Sequence, residues 1–127
     1  MGKAKKEIND LNEFLAKLRE EERPIIVEGK KDKAALRKCG VSNVFVLYHA
    51  PIYKIVESIV KRGEGCIILT DLDKKGKQIY GKLNRELQQF GVNIDNSYRN
   101  FLFKKTKLRQ IEGLYNYCIR GGIEFED

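Results

Sequence analysis

Apolar residues along this chain fall into two kinds of segment that alternate. The runs Ile25-Ile26-Val27, Val44-Phe45-Val46-Leu47 and Cys66-Ile67-Ile68-Leu69 contain no polar residue, the pattern of strands buried on both faces. Between and after them the apolar positions recur at helical spacing, first as Ile52, Ile55, Val56, Ile59 and Val60, then as Ile79, Leu83, Leu87 and Phe90. Asp32 is expected to cap a short helix running through Cys39. A fourth strand is expected from Tyr98 to Phe103, and a last helix on Leu108, Ile111, Leu114, Tyr115 and Cys118. Ahead of all these, residues 1–23 place Ile8, Leu11, Leu15 and Leu18 on one narrow stripe amid charged residues, which predicts an amphipathic helix ended by Pro24. That helix is expected to pack on the domain edge or on a protein partner.

Continuous apolar strands alternating with helices predict an α/β domain over residues 24–127, with about four mostly parallel strands between helices. Parallel sheets bind ligands outside the carboxyl ends of their strands. The residues that follow each strand are therefore the ones to read for chemistry.

Glu28 follows the first strand, and Asp71 and Asp73 follow the third. If that strand continues, its two-residue period puts Asp71 and Asp73 on one side, and the three carboxylates converge. Uncompensated, they repel one another and raise at least one pKa. A divalent cation relieves the conflict, and Mg²⁺ suits one or two carboxylates plus water and phosphate. Lys-Lys-x-Lys occurs three times, as Lys30, Lys31 and Lys33, as Lys74, Lys75 and Lys77, and as Lys104, Lys105 and Lys107. Acids at the centre with bases around them predict a site for a metal-bound polyanion, nucleic acid first of all.

Composition agrees with this. The 127 residues carry 25 Lys and Arg against 18 Asp and Glu, a net charge of +7, which favours an anionic partner. The chain shows neither an apolar run long enough for a membrane span nor a secretory signal, so a cytoplasmic protein is expected. Cys39, Cys66 and Cys118 are too scattered for a disulfide framework or a zinc knuckle and are expected to be buried thiols. Tyr48, Tyr53, Tyr80, Tyr98, Tyr115 and Tyr117 are read as core or edge aromatics. With His49 as the one histidine, no Ser-His or Cys-His nucleophile pair is proposed.

Two motifs fail on chemistry. Gly76-x-x-x-x-Gly81-Lys82 begins like a Walker A loop, but Leu83 replaces the Mg²⁺-binding Ser or Thr and the segment reads as helix interior. The run from Asp71 to Gly76 starts like an EF-hand, yet Lys75 and Lys82 fall at ligand positions.

The segments IIVEGKKDKAAL and CIILTDLDKKG together resemble the Toprim family, whose marks are Glu-Gly after a first strand and Asp-x-Asp closely followed by Gly after a later one. The segment NFLFKKTKLRQIEGLYNY is similar to the small Toprim ribonucleases of the kind that matures 5S ribosomal RNA. The resemblance implies a Rossmann-like sheet of four strands. It implies a catalytic metal centre for Mg²⁺, with Mn²⁺ as a substitute, at Glu28, Asp71 and Asp73, where the aspartates are ligands and Glu28 also serves as general acid or base. It also implies contact with the substrate by Lys104 and Lys105, and Glu112 as an additional acid. Gly29 and Gly76 belong to the nucleic-acid-binding turns of those motifs. Two readings of function follow. One is a Mg²⁺-dependent nuclease, foremost an endoribonuclease acting on structured RNA. The other is an accessory module that binds nucleic acid or a nucleotide within a larger complex.

Overall fold

A computed structural model describes residues 7–48 and 50–125. His49 and the first six residues of the expected N-terminal helix lie outside them. In chain order the elements are α1 (Leu11–Arg19), β1 (Ile25–Val27), α2 (Lys30–Lys38), β2 (Val44–Val46), α3 (Ile52–Arg62), β3 (Ile67–Ile68), α4 (Lys74–Gln89), α5 (Ser97–Lys105), a 3₁₀ turn (Ile111–Gly113) and α6 (Leu114–Arg120). No described helix is long and apolar enough to cross a membrane.

The sheet is parallel, ordered β2-β1-β3, with Ile25 opposite both Val44 and Ile67. Its alternate residues feed two cores. Ile25, Val27, Ile67 and Leu69 join Phe14, Leu36, Leu102 and Leu114 on the side of α1, α2, α5 and α6. Ile26 and Ile68 join Val56, Ile59, Leu83 and Leu87 on the side of α3 and α4. Both faces are covered, which is why these strands carry apolar residues at every position. Each fully buried Leu or Ile contributes about 2 kcal/mol of transfer free energy, so the two layers hold the strand ends in place for the turns that follow.

Among the described residues three strands form, where four were expected. The run from Tyr98 to Phe103 lies in helix α5, entered through an Asx turn in which Asp95 Oδ1 accepts from both the Ser97 N–H (2.9 Å) and the Ser97 hydroxyl (2.6 Å) just ahead of the N-cap residue Asn96, which makes no side-chain cap bond. Tyr98, Phe101 and Leu102 then bury together at helical spacing. Only one bridge, between Cys66 and Ile94, extends the sheet past β3 before the chain turns away.

The α1 helix also differs from expectation. Asp10 caps it by accepting from Glu13 N–H at 2.9 Å. Phe14, which lies off the expected stripe, is fully buried, stacked on Phe101 with centroids 5.4 Å apart. The helix is therefore part of the main core. The last helix is shorter than expected, since Leu108 is buried from a loop and Ile111 from the 3₁₀ turn. Cys39, Cys66 and Cys118 are free, buried thiols.

Candidate functional site

Two strand-to-helix turns meet at the carboxyl edge of the sheet. After β1 the chain passes through Glu28 and Gly29 directly into α2, where Asp32 Oδ2 reaches back to accept the Gly29 N–H at 3.0 Å. Asp32 is thus the third residue of α2, closing one half of a capping box, and Gly29, which has no side chain to return the bond, holds the N-cap position expected for Asp32. After β3 the ladder runs only one residue further, Leu69 N–H donating to Ile26 O at 2.8 Å. The chain has left the sheet before Asp71, so strand periodicity is not what aligns Asp71 with Asp73.

Helix capping and three cross-chain bonds align them. Asp73 is the N-cap of α4 and accepts the Gly76 N–H at 2.8 Å. Glu28 Oε2 accepts the Asp71 N–H at 2.7 Å, across 43 residues of sequence. Asp71 Oδ1 accepts the Ile111 N–H at 2.8 Å, and Leu72 N–H donates to Arg109 O at 2.7 Å. Gly76 is required by close approach, because a Cβ there would stand 1.9 Å from Asp71 O. Its carbonyl accepts the Thr70 hydroxyl at 2.8 Å. With both backbone groups bonded inside the turn, Gly76 has a structural role there.

Arg99 completes the turn. It is 8% exposed, and its guanidinium donates to Thr70 O, to Thr70 Oγ1 at 3.1 Å and to Asp71 O at 3.0 Å, while lying 4.7 Å from the Tyr80 ring centroid. The charge of Arg99 interacts with Glu28 and Asp71 through space, but it forms an ion pair with neither.

The acids repel one another, as expected of an uncompensated cluster. Burial pushes Glu28 above its ordinary value; the Asp71 N–H partly offsets that, and the charges of Asp71 and Asp73 add to it. Burial likewise raises Asp71 against the Ile111 N–H, with Asp73 and Glu112 adding. Asp32 is pushed from 3.8 up to about 6, by burial first and then by the charges of Asp71, Glu28 and Glu112. Asp32 and Glu112 thus lie near enough to act through their charges on the acids that follow the strands. The second carboxylate oxygens of Glu28, Asp71 and Asp73 accept no hydrogen bond from the described residues. Among those residues no three acidic, His or Cys side chains are grouped so as to hold a metal ion. The donor set fits a cation that takes one or two carboxylates and fills its sphere with water and phosphate, as Mg²⁺ does, and does not fit an all-protein cage.

The lysine clusters divide. Lys30 and Lys31 are exposed and Lys33 half-buried in the first turn of α2; Lys74, Lys75 and Lys77 are exposed in the first turn of α4. Both groups begin the helices that follow the acidic turns, and Lys75 acts on Glu28 through its charge. Lys104 and Lys105 do not join them. At 100° per residue they lie across α5 from Arg99 and Phe103, and they line a separate cavity of about 560 Å³ with Lys17, Arg23 and Phe101. Lys107 is exposed in the loop after α5, its N–H donating to the Tyr117 hydroxyl at 3.3 Å. The residues that sequence reading passed over are Arg99, Phe103 and Arg109. The Asp95-x-Ser97 start of α5 was the signal that could have shown Arg99 and Phe103 on one side of a helix.

No family model matches the chain. The chain is 36% identical over 105 residues to the UPF0292 protein MJ1624 of Methanocaldococcus jannaschii, covering 80% of this chain and 82% of that one. It is 38% identical over 115 residues to the UPF0292 protein PH1700 of Pyrococcus horikoshii, covering 88% and 86%. A solved structure, of a putative protein from Aquifex aeolicus, superposes with a TM-score of 0.76 at 35% identity, over 81% of this chain and 96% of that one. These findings correct the assignment to the Toprim family: the relatives carry another family name and no Toprim model matches. The physical reason is that the residues carrying the resemblance are those the two turns themselves demand. Gly29 and Asp32 close a cap, Asp73 caps α4, and Gly76 admits the Asp71 backbone.

Proposed function

The chain belongs to the UPF0292 family, and on that footing we propose that it is a divalent-metal-dependent nuclease of the RNA-processing type, cytoplasmic, acting at the carboxyl edge of its sheet. The observation that carries this reading is the bond from Asp71 N–H to Glu28, which ties two turns distant in sequence into one acidic site with raised pKa values. Exposed lysines from both adjoining helices border it, in a chain of net charge +7.

Glu28 has the properties of a proton-transfer group, since its raised pKa brings it toward the working pH while Asp71 N–H fixes its orientation. The unbonded oxygens of Asp71 and Asp73 would hold Mg²⁺ or Mn²⁺, which when bound supplies charge neutralisation and polarisation of the scissile phosphate. Lys30, Lys31, Lys74 and Lys75 offset the charge of the phosphodiester backbone. Arg99 keeps the Thr70-Asp71 backbone fixed from below, so that the acids need not reorganise during the reaction.

Incubating the purified chain with labelled single-stranded RNA, single-stranded DNA and their duplexes, in Mg²⁺ or Mn²⁺, tests the reading. Metal-dependent cleavage that Asp71→Asn weakens at limiting metal, without loss of fold, is the expected result. A second reading, an accessory nucleic-acid-binding module, is favoured by the lack of a three-ligand group among the described residues. Binding without cleavage by any combination of metal and substrate would replace the first reading with the second.

A further inference from the structure

The α5 helix buries Tyr98, Phe101 and Leu102 but leaves Phe103 45% exposed. Two cations attend its ring: Lys77 Nζ is 4.8 Å from the centroid and Arg109 Cζ 5.4 Å. Neither cation is there by accident of a flexible loop. Lys77 stands one turn into α4, its N–H donating to Asp73 O at 2.9 Å. The Arg109 guanidinium is held by the carbonyls of Thr106 (3.2 Å) and Leu108 (2.7 Å), and its own carbonyl accepts from Leu72, next to Asp71. The backbone of Lys77 and the guanidinium of Arg109 are therefore fixed to the turn that carries the acids.

An isolated exposed aromatic is ordinary on a protein surface. One flanked by two cations beside an acidic, lysine-bordered site has a more specific chemistry. Such a ring does not suit an apolar protein surface, which would have to desolvate both charges. It suits a nucleobase that takes the ring face now under Lys77, the flexible Lys77 ammonium swinging from the ring onto a phosphate, which joins base stacking to backbone neutralisation as single strands are held without sequence preference. A duplex keeps its bases stacked on one another and has none to offer.

We propose that Phe103, with Lys77 and Arg109, is a stacking platform for an unpaired base, so that the site takes single-stranded nucleic acid. The inference rests on the nucleic-acid reading above and adds the substrate class to it. The same pairing of exposed aromatic and lysine recurs at the end of β2, where Lys30 Nζ is 5.6 Å from the Tyr48 ring.

The chain contains no Trp, so Phe103→Trp introduces a single fluorescent reporter at the platform. The probes are uridine and thymidine homopolymer 12-mers and a 12-base-pair duplex, measured by anisotropy in EDTA and again in Ca²⁺. Phe103→Ala should bind the single strands about tenfold more weakly with unchanged circular dichroism. Phe103→Trp should bind them as the native chain does, with its emission quenched, and duplex affinity should stay the same in all three. Equal single-strand binding by Phe103→Ala, an unquenched Phe103→Trp, or an equal loss on duplex overturns the platform while leaving the nucleic-acid reading in place. If the native chain binds none of the probes, the nucleic-acid reading itself falls.

Discussion

At the amino edge of the sheet Arg23 stands between two acids, 2.7 Å from Glu21 Oε1 and 2.7 Å from Asp95 Oδ2, while the Tyr98 hydroxyl donates to Glu21 at 2.9 Å. At the carboxyl edge Glu28, Asp32 and Asp71 meet with no ion pair among the described residues. The amino-edge acids are held below their ordinary values, Glu21 chiefly by Arg23, and Asp95 by Ser97 and Arg23 against the opposing effect of burial. The carboxyl-edge acids are held above theirs. One sheet thus carries one acidic cluster that stabilises the fold and another that costs it stability. A cluster kept at a cost is where a ligand has most to offer.

The largest expected effect separates the edges by activity. Glu28→Gln should lower metal-dependent cleavage by about 10²–10⁴-fold at saturating Mg²⁺, with the urea midpoint unchanged or raised. Asp71→Asn and Asp73→Asn should instead raise the Mg²⁺ concentration needed for half-maximal rate. Rescue of Glu28→Gln by excess metal would show that Glu28 is a ligand and that the proton is handled elsewhere.

Arg23→Met tests the other edge, since it strands Glu21 and Asp95. Urea unfolding at pH 7 should show a loss of about 2–4 kcal/mol with cleavage per folded molecule intact. Because both acids have depressed folded pKa values, the stability they lend is present above their unfolded values and is lost as pH falls. The cost of the substitution should shrink accordingly in acid, and a cost independent of pH would break the electrostatic account.

Asp32→Asn should do the reverse. The Asp32 folded value of about 6 lies above its ordinary 3.8, so its contribution to stability falls as pH rises between those values. Asn can still accept the Gly29 N–H. The variant should therefore match the native chain at pH 4 and exceed it by about 1–2 kcal/mol at pH 7, read as a difference in denaturation midpoints. No gain at pH 7 would mean that burial and the neighbouring acids do not raise Asp32 as argued.

The smallest effect concerns the lysines. Replacing Lys74 and Lys75 together by Ala should reduce the magnitude of the log–log salt slope of nucleic-acid binding by about 1.4–1.8. The same exchange at Lys104 and Lys105, on the other side of α5, should change it less. Equal changes would place both pairs on one path for the polyanion.

Much of this molecule was legible along the chain. The three strands, the helices between them and the position of Glu28, Asp71 and Asp73 at strand ends all follow from where apolar runs stop, because burial on both faces leaves a parallel strand no polar position until it ends. The stretch from Tyr98 to Phe103 reads as a strand because Tyr-x-x-Phe-Leu-Phe serves either period, and the bond that turns the chain into the helix, from the Ser97 N–H to Asp95, lies just outside the run.

Local pattern determined which residues reach the carboxyl edge, since strand, turn and cap chemistry act over a few neighbours. Only the tertiary structure decided which of them meet. Glu28 with Asp71, Asp71 with Ile111, and Arg99 with Thr70 join positions 43, 40 and 29 residues apart, and no periodicity spans such distances. The same holds for the division of the lysines, which share one motif along the chain. Rotation around α5 carries Lys104 and Lys105 away from the acids and turns Phe103 toward them, because the side chains on a helix are set by the face its core residues bury.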